Sequence, residues 1–371
     1  MHRITLNDVT IILGETGSGK TTRMFLRPPP SPLRPFWLKL LHIELPQYLL
    51  EGGLYRGQIA VTQPRRVAAT SLAARVSAEQ GKPLGTLVGY SVRFDERVCS
   101  GTRIKYLTDG MLVREMMNDP FLTCYDVVIV DEAHERTLRT DIVLASLKRI
   151  LAVRNGYGGA NSSPKGKAKA NPLKVVIMSA TLDAEKFSKF FDKYVLRTPI
   201  IPILTLYSAP VLYVKGRQHP VSIFHTSTSQ NDYLDAALRT FFQIHVDRPP
   251  GDVLIFLPGM FVSGTFPIAL NFQLYLGQDD IESLESSLSM YADQLPQEVP
   301  NVIICSLYAS LPHAQQTKVF LSTPPDSRKC ILATNIAETS ITIPGVRYVI
   351  DSGKQKEKRH LARIAGSGEG H

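Results

Sequence analysis

Short runs of apolar, mostly β-branched residues recur along the chain, each followed by turn residues and then a helical pattern. The runs are residues 9–13 (VTIIL), 59–62, 127–130 (VVIV), 175–178, 253–257 (VLIFL), 302–305, 331–333 and 349–350. A strand apolar at every position is buried on both faces, the habit of a parallel sheet. Strands and helices in alternation then predict α/β units with right-handed crossovers. Two helices are legible from their 3.6-residue spacing. Residues 232–246 place Leu234, Leu238, Phe241 and Phe242 on one face; residues 280–295 do the same with Ile281, Leu284, Leu288, Tyr291 and Leu295. Tyr233, Phe241 and Phe242 read as core residues rather than stacking ones.

The strands fall into two sets, one ending near Met178 and one starting near Val253. The expected fold class is therefore α/β: two domains, each a mostly parallel sheet flanked by helices, with a cleft between them. The boundaries expected are 1–200 and 229–371, joined by a connector over 201–228. The Pro-rich, β-branched stretch 199–219 leads into that connector and carries a strand or two. Three stretches read as insertions: 24–44, which opens on a proline run no helix could hold; 155–172, rich in Gly, Ser and Lys; and 260–277.

A chain of 371 residues with 44% hydrophobic and 20% charged residues has an ordinary globular composition. The 42 Lys and Arg against 33 Asp and Glu leave a net charge of +9, which suits a polyanionic partner such as nucleic acid, or merely a basic surface. Cys99, Cys124, Cys305 and Cys330 lack metal-ligand spacing and read as reduced, packed thiols. The first residues do not form a signal peptide. The stretch 253–278 carries no charge, but Pro258, Pro267, Asn271 and Gln273 argue against a membrane helix.

Two motifs carry chemistry. Residues 14–21 read GETGSGKT directly after the first apolar run, matching G-x-x-x-x-G-K-[ST]. A chance match is expected in roughly one chain in a hundred of this length. Gly14, Gly17 and Gly19 let the backbone N–H groups of Glu15, Thr16, Ser18 and their neighbours turn around phosphate oxygens. The helix that follows, through Thr22, adds its positive end. Lys20 would reach the β- and γ-phosphates of ATP, and Thr21 would coordinate Mg²⁺. The second motif is residues 127–134, VVIVDEAH, an apolar strand ending in two acids. Asp131 is placed to complete the Mg²⁺ site, and Glu132 to orient and deprotonate the attacking water. Taken alone, the two acids could equally cap a helix.

Asp131-Glu132-Ala133-His134 resembles the signature of the DEAH-box RNA helicases of superfamily 2, and further motifs follow in the family's order. Residues 62–69 (TQPRRVAA) resemble motif Ia, 108–112 (TDGML) motif Ib and 179–181 (SAT) motif III. Residues 254–259 (LIFLPG) resemble motif IV and 334–343 (TNIAETSITI) motif V. The resemblance implies two RecA-like domains with ATP in the cleft and RNA across their tops. It makes Arg65, Arg66, Thr108 and Asp109 RNA-binding positions, although Arg65 and Arg66 also suit a solvated helix start. It makes His134, Ser179, Thr181, Thr334 and Asn335 the link between hydrolysis and domain movement. Arg75 and Phe320 match positions that sandwich the adenine, or are packing residues. The run 207–235 is most similar to the nucleolar, ribosome-biogenesis branch, which implies a nuclear protein with pre-ribosomal partners.

The sequence also departs from the family. Residues 24–44 and 260–277 interrupt family-like sequence and read as translated introns. Family-like sequence fades after 354–359, and motif VI, which supplies arginine fingers, is not found. Two functions stay open at this point: an ATP-dependent RNA helicase, or an ATP- and RNA-binding remnant with little unwinding.

Overall fold

The computed structural model describes residues 2–14, 41–156, 171–180, 184–191, 209–214, 220–258, 276–296, 298–308, 311–334, 337 and 343–354. Two compact units emerge, Met1–Ile223 and Phe224–His371.

In the first unit, the described strands are β1 (Val9–Gly14), β2 (Gln58–Gln63), β3 (Val88–Val92), β4 (Asp95–Arg97), β5 (Ile104–Thr108), β6 (Tyr125–Val130), β7 (Lys174–Ser179) and β8 (Val211–Val214). They form one sheet in the order β4-β3-β5-β2-β6-β7-β1-β8. Every pairing is parallel except β3 with β4. The expected strand in the Pro-rich stretch is β8, added beside β1.

The helices of this unit are α1 (His2–Leu6), α2 (Leu41–Glu51), α3 (Arg66–Glu79), α4 (Asp109–Asn118), α5 (Leu138–Arg154) and α6 (Ala184–Phe190). Alternate residues of the central strands face opposite layers. Ile11, Val128, Val130, Val175 and Ile177 pack with Leu112 of α4, Leu147 of α5 and Phe187 of α6. Ile12, Val61, Ile129, Val176 and Met178 pack with Ile4 of α1, Leu49 of α2 and Ala73 of α3. Both faces of the strands are dry, which is why the sequence runs are continuously apolar. Each such aliphatic side chain contributes about 1.5–3 kcal/mol by leaving water.

The second unit has a four-stranded parallel sheet, β10-β11-β9-β12, made of β9 (Asp252–Phe256), β10 (Asn301–Leu307), β11 (Ser327–Ala333) and β12 (Val346–Asp351). Helices α7 (Tyr233–Asp247) and α8 (Leu276–Ala292) cover one face, with Phe241, Leu284 and Leu288 against Val253, Ile255, Cys330 and Leu332. Tyr233 and Phe242 pack at the margin of this core, as expected of core rather than stacking residues. Asp232 caps α7 by accepting hydrogen bonds from the N–H groups of Leu234 and Asp235, both at 3.0 Å. A short helix α9 (His313–Gln316) and a 3₁₀ turn, Thr317–Phe320, lie beyond β10.

Every apolar run named above became a strand. Strands β3, β4 and β5 were not anticipated, because Gly89, Ser91, Lys105 and Thr108 interrupt their apolar pattern. Helix α2 starts at Leu41, inside the stretch 24–44, and Ile43 is buried in the core, so the end of that stretch belongs to the fold. Residues 157–170 and 259–275, and most of 24–44, lie outside the described residues. Cys305 and Cys330 are buried free thiols as expected, but Cys99 and Cys124 are exposed, on turns rather than in the core. Among the described residues no helix is long and apolar enough to cross a membrane.

Candidate active site

In the first unit, β1, β7 and β6 lie side by side, with Leu13 opposite Ser179 and Val130 opposite Ile177. All three strands run the same way, so Gly14, Asp131 and Ser179 emerge at one carboxyl edge. Gly14, where the glycine turn starts, is two strand spacings, about 10 Å, from the end of β6. The carboxyl edge of a parallel sheet is where ligands of open α/β folds bind. Glu15, Thr16, Gly17, Ser18, Gly19, Lys20, Thr21 and Thr22 lie outside the described residues.

Asp131 is buried and its carboxylate is oriented from two sides. Oδ2 accepts from Gln63 Nε2 at 2.6 Å, and Oδ1 accepts from the Glu132 N–H at 2.8 Å. The Gln63 contact follows from register: Thr62 of β2 is opposite Val130 of β6, so the next residues on each strand meet. Glu132 is also buried and has left-handed backbone, φ 51° and ψ 35°. That conformation costs a non-glycine residue about 1–2 kcal/mol, and such strain gathers at functional sites. It opens a single 3₁₀ turn, Ala133–Glu135, closed by a second left-handed residue, Arg136 (φ 47°).

His134 joins this turn to β7. Its Nδ1 lies 3.4 Å from Glu132 Oε2 and accepts from the Ala180 N–H at 3.3 Å. Ser179, also expected to couple hydrolysis to movement, is the buried last residue of β7, directly before Ala180. Thr181 lies outside the described residues.

The four expected RNA positions divide. Arg66 is exposed at the first turn of α3. Arg65, just before α3, is half-buried with its guanidinium 3.4 Å from Glu135 Oε1. Thr108 precedes α4 with little exposure. Asp109 corrects the expectation: its side chain turns inward, 2% exposed, and Oδ2 accepts from Thr140 Oγ1 at 2.6 Å. Burial raises the Asp109 pKa, and the negative Glu135 and Asp131 nearby raise it further; the Thr140 and Thr62 hydroxyls offset part of this. A carboxylate so placed has no face to offer an RNA strand. It ties α4 to α5 through Thr140, whose N–H is capped by the Thr137 hydroxyl at 3.1 Å.

Arg75 is exposed on α3 and pairs with Glu79 at 3.2 Å one turn on, so it is no packing residue. In the second unit, Phe320 is half-buried at the end of the 3₁₀ turn. Thr334 follows β11, where its N–H donates to the Leu307 carbonyl at 3.3 Å. Asn335 lies outside the described residues. Sequence reasoning passed over Gln63, Glu135 and Thr140. Gln63 and Glu135 sit inside or beside the motifs, but only the strand register and the turn give them partners.

Residues 279–366 match the family described as Helicase conserved C-terminal domain. Over 355 residues the chain is 44% identical to the ATP-dependent RNA helicase DHX33 of Homo sapiens, an alignment covering 95% of this chain and 41% of that protein. The chain is thus similar to ATP-dependent RNA helicases over nearly its whole length. The Mus musculus DHX33 is likewise 44% identical over 355 residues, with 42% of its length covered. The pre-mRNA-splicing factor ATP-dependent RNA helicase DEAH10 of Arabidopsis thaliana is 39% identical over 388 residues, which cover 97% of this chain and 46% of that protein. The chain spans less than half the length of the curated relatives it matches. Its two mostly parallel α/β units are of the RecA-like kind.

Proposed function

We propose that the chain is an ATP-dependent RNA helicase segment that hydrolyses ATP and couples hydrolysis to RNA binding and remodelling. The observation that carries this reading is the carboxyl edge of the first sheet. There a buried, oriented Asp131 and a strained Glu132 leave β6, and the start of a phosphate-binding glycine turn leaves β1, with β7 between the two strands.

Asp131 fits a Mg²⁺ ion. It offers hard carboxylate oxygens, and Mg²⁺ is characteristically held by one or two carboxylates together with substrate phosphates. When bound, the ion neutralises charge on the phosphates. Thr21 is the second residue proposed to hold it. Lys20 and the backbone of residues 14–22 hold the β- and γ-phosphates, and Arg75 contacts the base. Glu132 takes the proton of the attacking water, its backbone held forward of the strand end by the left-handed turn. Gln63 keeps the Asp131 carboxylate from rotating. His134 transmits movement of the turn to Ser179 and Thr181, and Thr334 and Asn335 serve the second unit in the same way.

RNA enters along Arg66, Arg65 and Thr108, whose contacts grip phosphates without reading sequence. The basic balance of the chain supports this partner. By resemblance to the nucleolar branch, the setting proposed is nuclear, with pre-ribosomal ribonucleoprotein partners. The test is phosphate release by the purified chain with and without single-stranded RNA. RNA-stimulated turnover supports the reading. RNA and nucleotide binding without turnover would reduce the chain to a binding module.

A further inference from the structure

The loop after β6 is held by two arginine–carboxylate pairs of unequal quality. Arg136 grips Asp141 with two nitrogens, Nε to Oδ1 at 2.8 Å and Nη2 to Oδ2 at 3.0 Å, both within the loop and the first turn of α5. Arg65 reaches Glu135 across strands, at the longer distance of 3.4 Å. The first pair closes the loop on itself. The second ties it to the start of α3, beside the exposed Arg66. A phosphate offers the planar guanidinium two oxygens at once and is a strong competitor for it.

Glu135 is also one hydrogen bond from the proposed base. Its N–H donates to the Glu132 carbonyl at 3.0 Å and closes the turn that keeps Glu132 left-handed. The same turn carries His134, which touches both the Glu132 carboxylate and the backbone of Ala180. A pull on Glu135 is therefore felt at Glu132 within a single turn of chain.

We propose that Glu135 is a positioning residue that couples RNA contact at Arg65 to the posture of Glu132. RNA phosphate and Glu135 compete for the Arg65 guanidinium. With Arg65 on Glu135, the turn is anchored toward α3; with Arg65 on phosphate, the turn is released and Glu132 settles against nucleotide. The inference rests on the RNA-helicase reading above and adds the residue through which the two ligands communicate. Linkage requires the reverse effect as well: nucleotide engaging Glu132 alters the affinity for RNA.

Fluorescence anisotropy of a labelled single-stranded oligouridylate, with and without Mg²⁺ and a non-hydrolysable ATP analogue, tests this on the whole chain. Wild type should bind the RNA several-fold differently in the two conditions. Without nucleotide, Glu135→Gln should bind RNA about threefold to fivefold more tightly, the strength of one partly exposed pair. The analogue should then change its RNA affinity by less than about twofold. Asp141→Asn removes a neighbouring acid without touching Arg65, and should keep the wild-type dependence on nucleotide. Circular dichroism checks that each variant is folded. Glu135→Gln with an undiminished nucleotide dependence overturns the inference, as does wild type whose RNA affinity ignores the analogue. Wild type that binds neither RNA nor a fluorescent ATP analogue brings down the proposed function itself, a result plainly different from those two.

Discussion

The carboxyl edge of the first sheet and the amino edge of the second both bury charged residues, but they treat them in opposite ways. At the amino edge of the second sheet the charges are saturated. Arg328 donates to the carbonyls of Ile244 at 2.6 Å and of Arg248 and Pro249 at 2.8 Å, capping the end of α7. Asp252 accepts from the Lys329 N–H at 3.0 Å and the Thr323 hydroxyl at 2.7 Å, while Lys329 Nζ donates to the Val319 and Leu321 carbonyls. At the carboxyl edge of the first sheet, Asp109, Asp131, Glu132 and Glu135 lie close together, and one of them sits in left-handed backbone. Buried charge supplied with partners steadies a fold. Buried like charge with strain costs stability, and is kept where a ligand or a reaction supplies the compensation.

That contrast can be broken experimentally. The largest effect expected is Glu132→Gln, which should lower ATP turnover by about 10²–10⁴-fold while nucleotide binding and fold stability persist. Phosphate release and binding of a fluorescent nucleotide measure both, and turnover at the wild-type rate would remove Glu132 as the base. At the opposite edge, Arg328→Ala should do the reverse. It strips three carbonyls of a charged donor and should cost about 3 kcal/mol of stability, read by denaturant unfolding of the second unit. A normal midpoint would mean that the amino edge is not the steadying one.

Gln63→Ala tests the orienting contact to Asp131. It should reduce turnover by about 10–100-fold, the usual cost of losing a residue that orients a metal ligand. Little change in unfolding should accompany it.

The buried His245 offers a pH test on the second unit. Its ring stacks on Phe241 and its Nε2 pairs with the Pro300 carbonyl at 2.9 Å. Burial, and then the nearby Arg328, lower its pKa. The unfolded chain therefore takes up a proton that the folded unit refuses. Stability should be full above about pH 6.5 and fall below it, by at most about 1.4 kcal/mol per pH unit. His245→Gln should flatten that dependence in urea titrations between pH 7 and 5.

The smallest effect expected is Asp109→Asn. The raised pKa of Asp109 means that folding works against its ionised form. Its contribution to stability is full below the ordinary carboxylate range and is lost as pH rises through the raised value. The amide should therefore unfold no more easily than wild type at pH 7, and hold an advantage of about 1 kcal/mol or less that shrinks toward pH 4. An Asp109→Asn protein much less stable at pH 7 would show that the acid is better satisfied than its like-charged neighbours suggest.

Much of the fold was legible. Runs such as VTIIL and VVIV could only be strands dry on both faces, and the spacing of Leu234, Leu238 and Phe241 could only be one face of a helix. The motifs at Gly14 and Asp131 stand out because phosphate and metal chemistry permit few residue types, and their strands end at one sheet edge. Less legible was anything that depends on neighbours from elsewhere in the chain. Asp109 looked like a contact residue by its place in the motif, and the structure turns it inward to Thr140. Nothing about a glutamate announces left-handed backbone, and nothing in TQPRR says that Gln63 meets Asp131.

What the sequence determined by itself was local: the continuously apolar strands, the amphipathic helices, and which side chains are candidates to bind phosphate or activate water. Periodicity and residue chemistry are properties of a few consecutive residues, so they can be read without the fold. The tertiary structure decided the rest. The sheet order put β7 between β1 and β6, strand register laid Gln63 beside Asp131, and the pairing of β2 with β6 brought Arg65 to its partner. Those contacts join residues up to a hundred and more positions apart, and their energies exist only once the strands are in place.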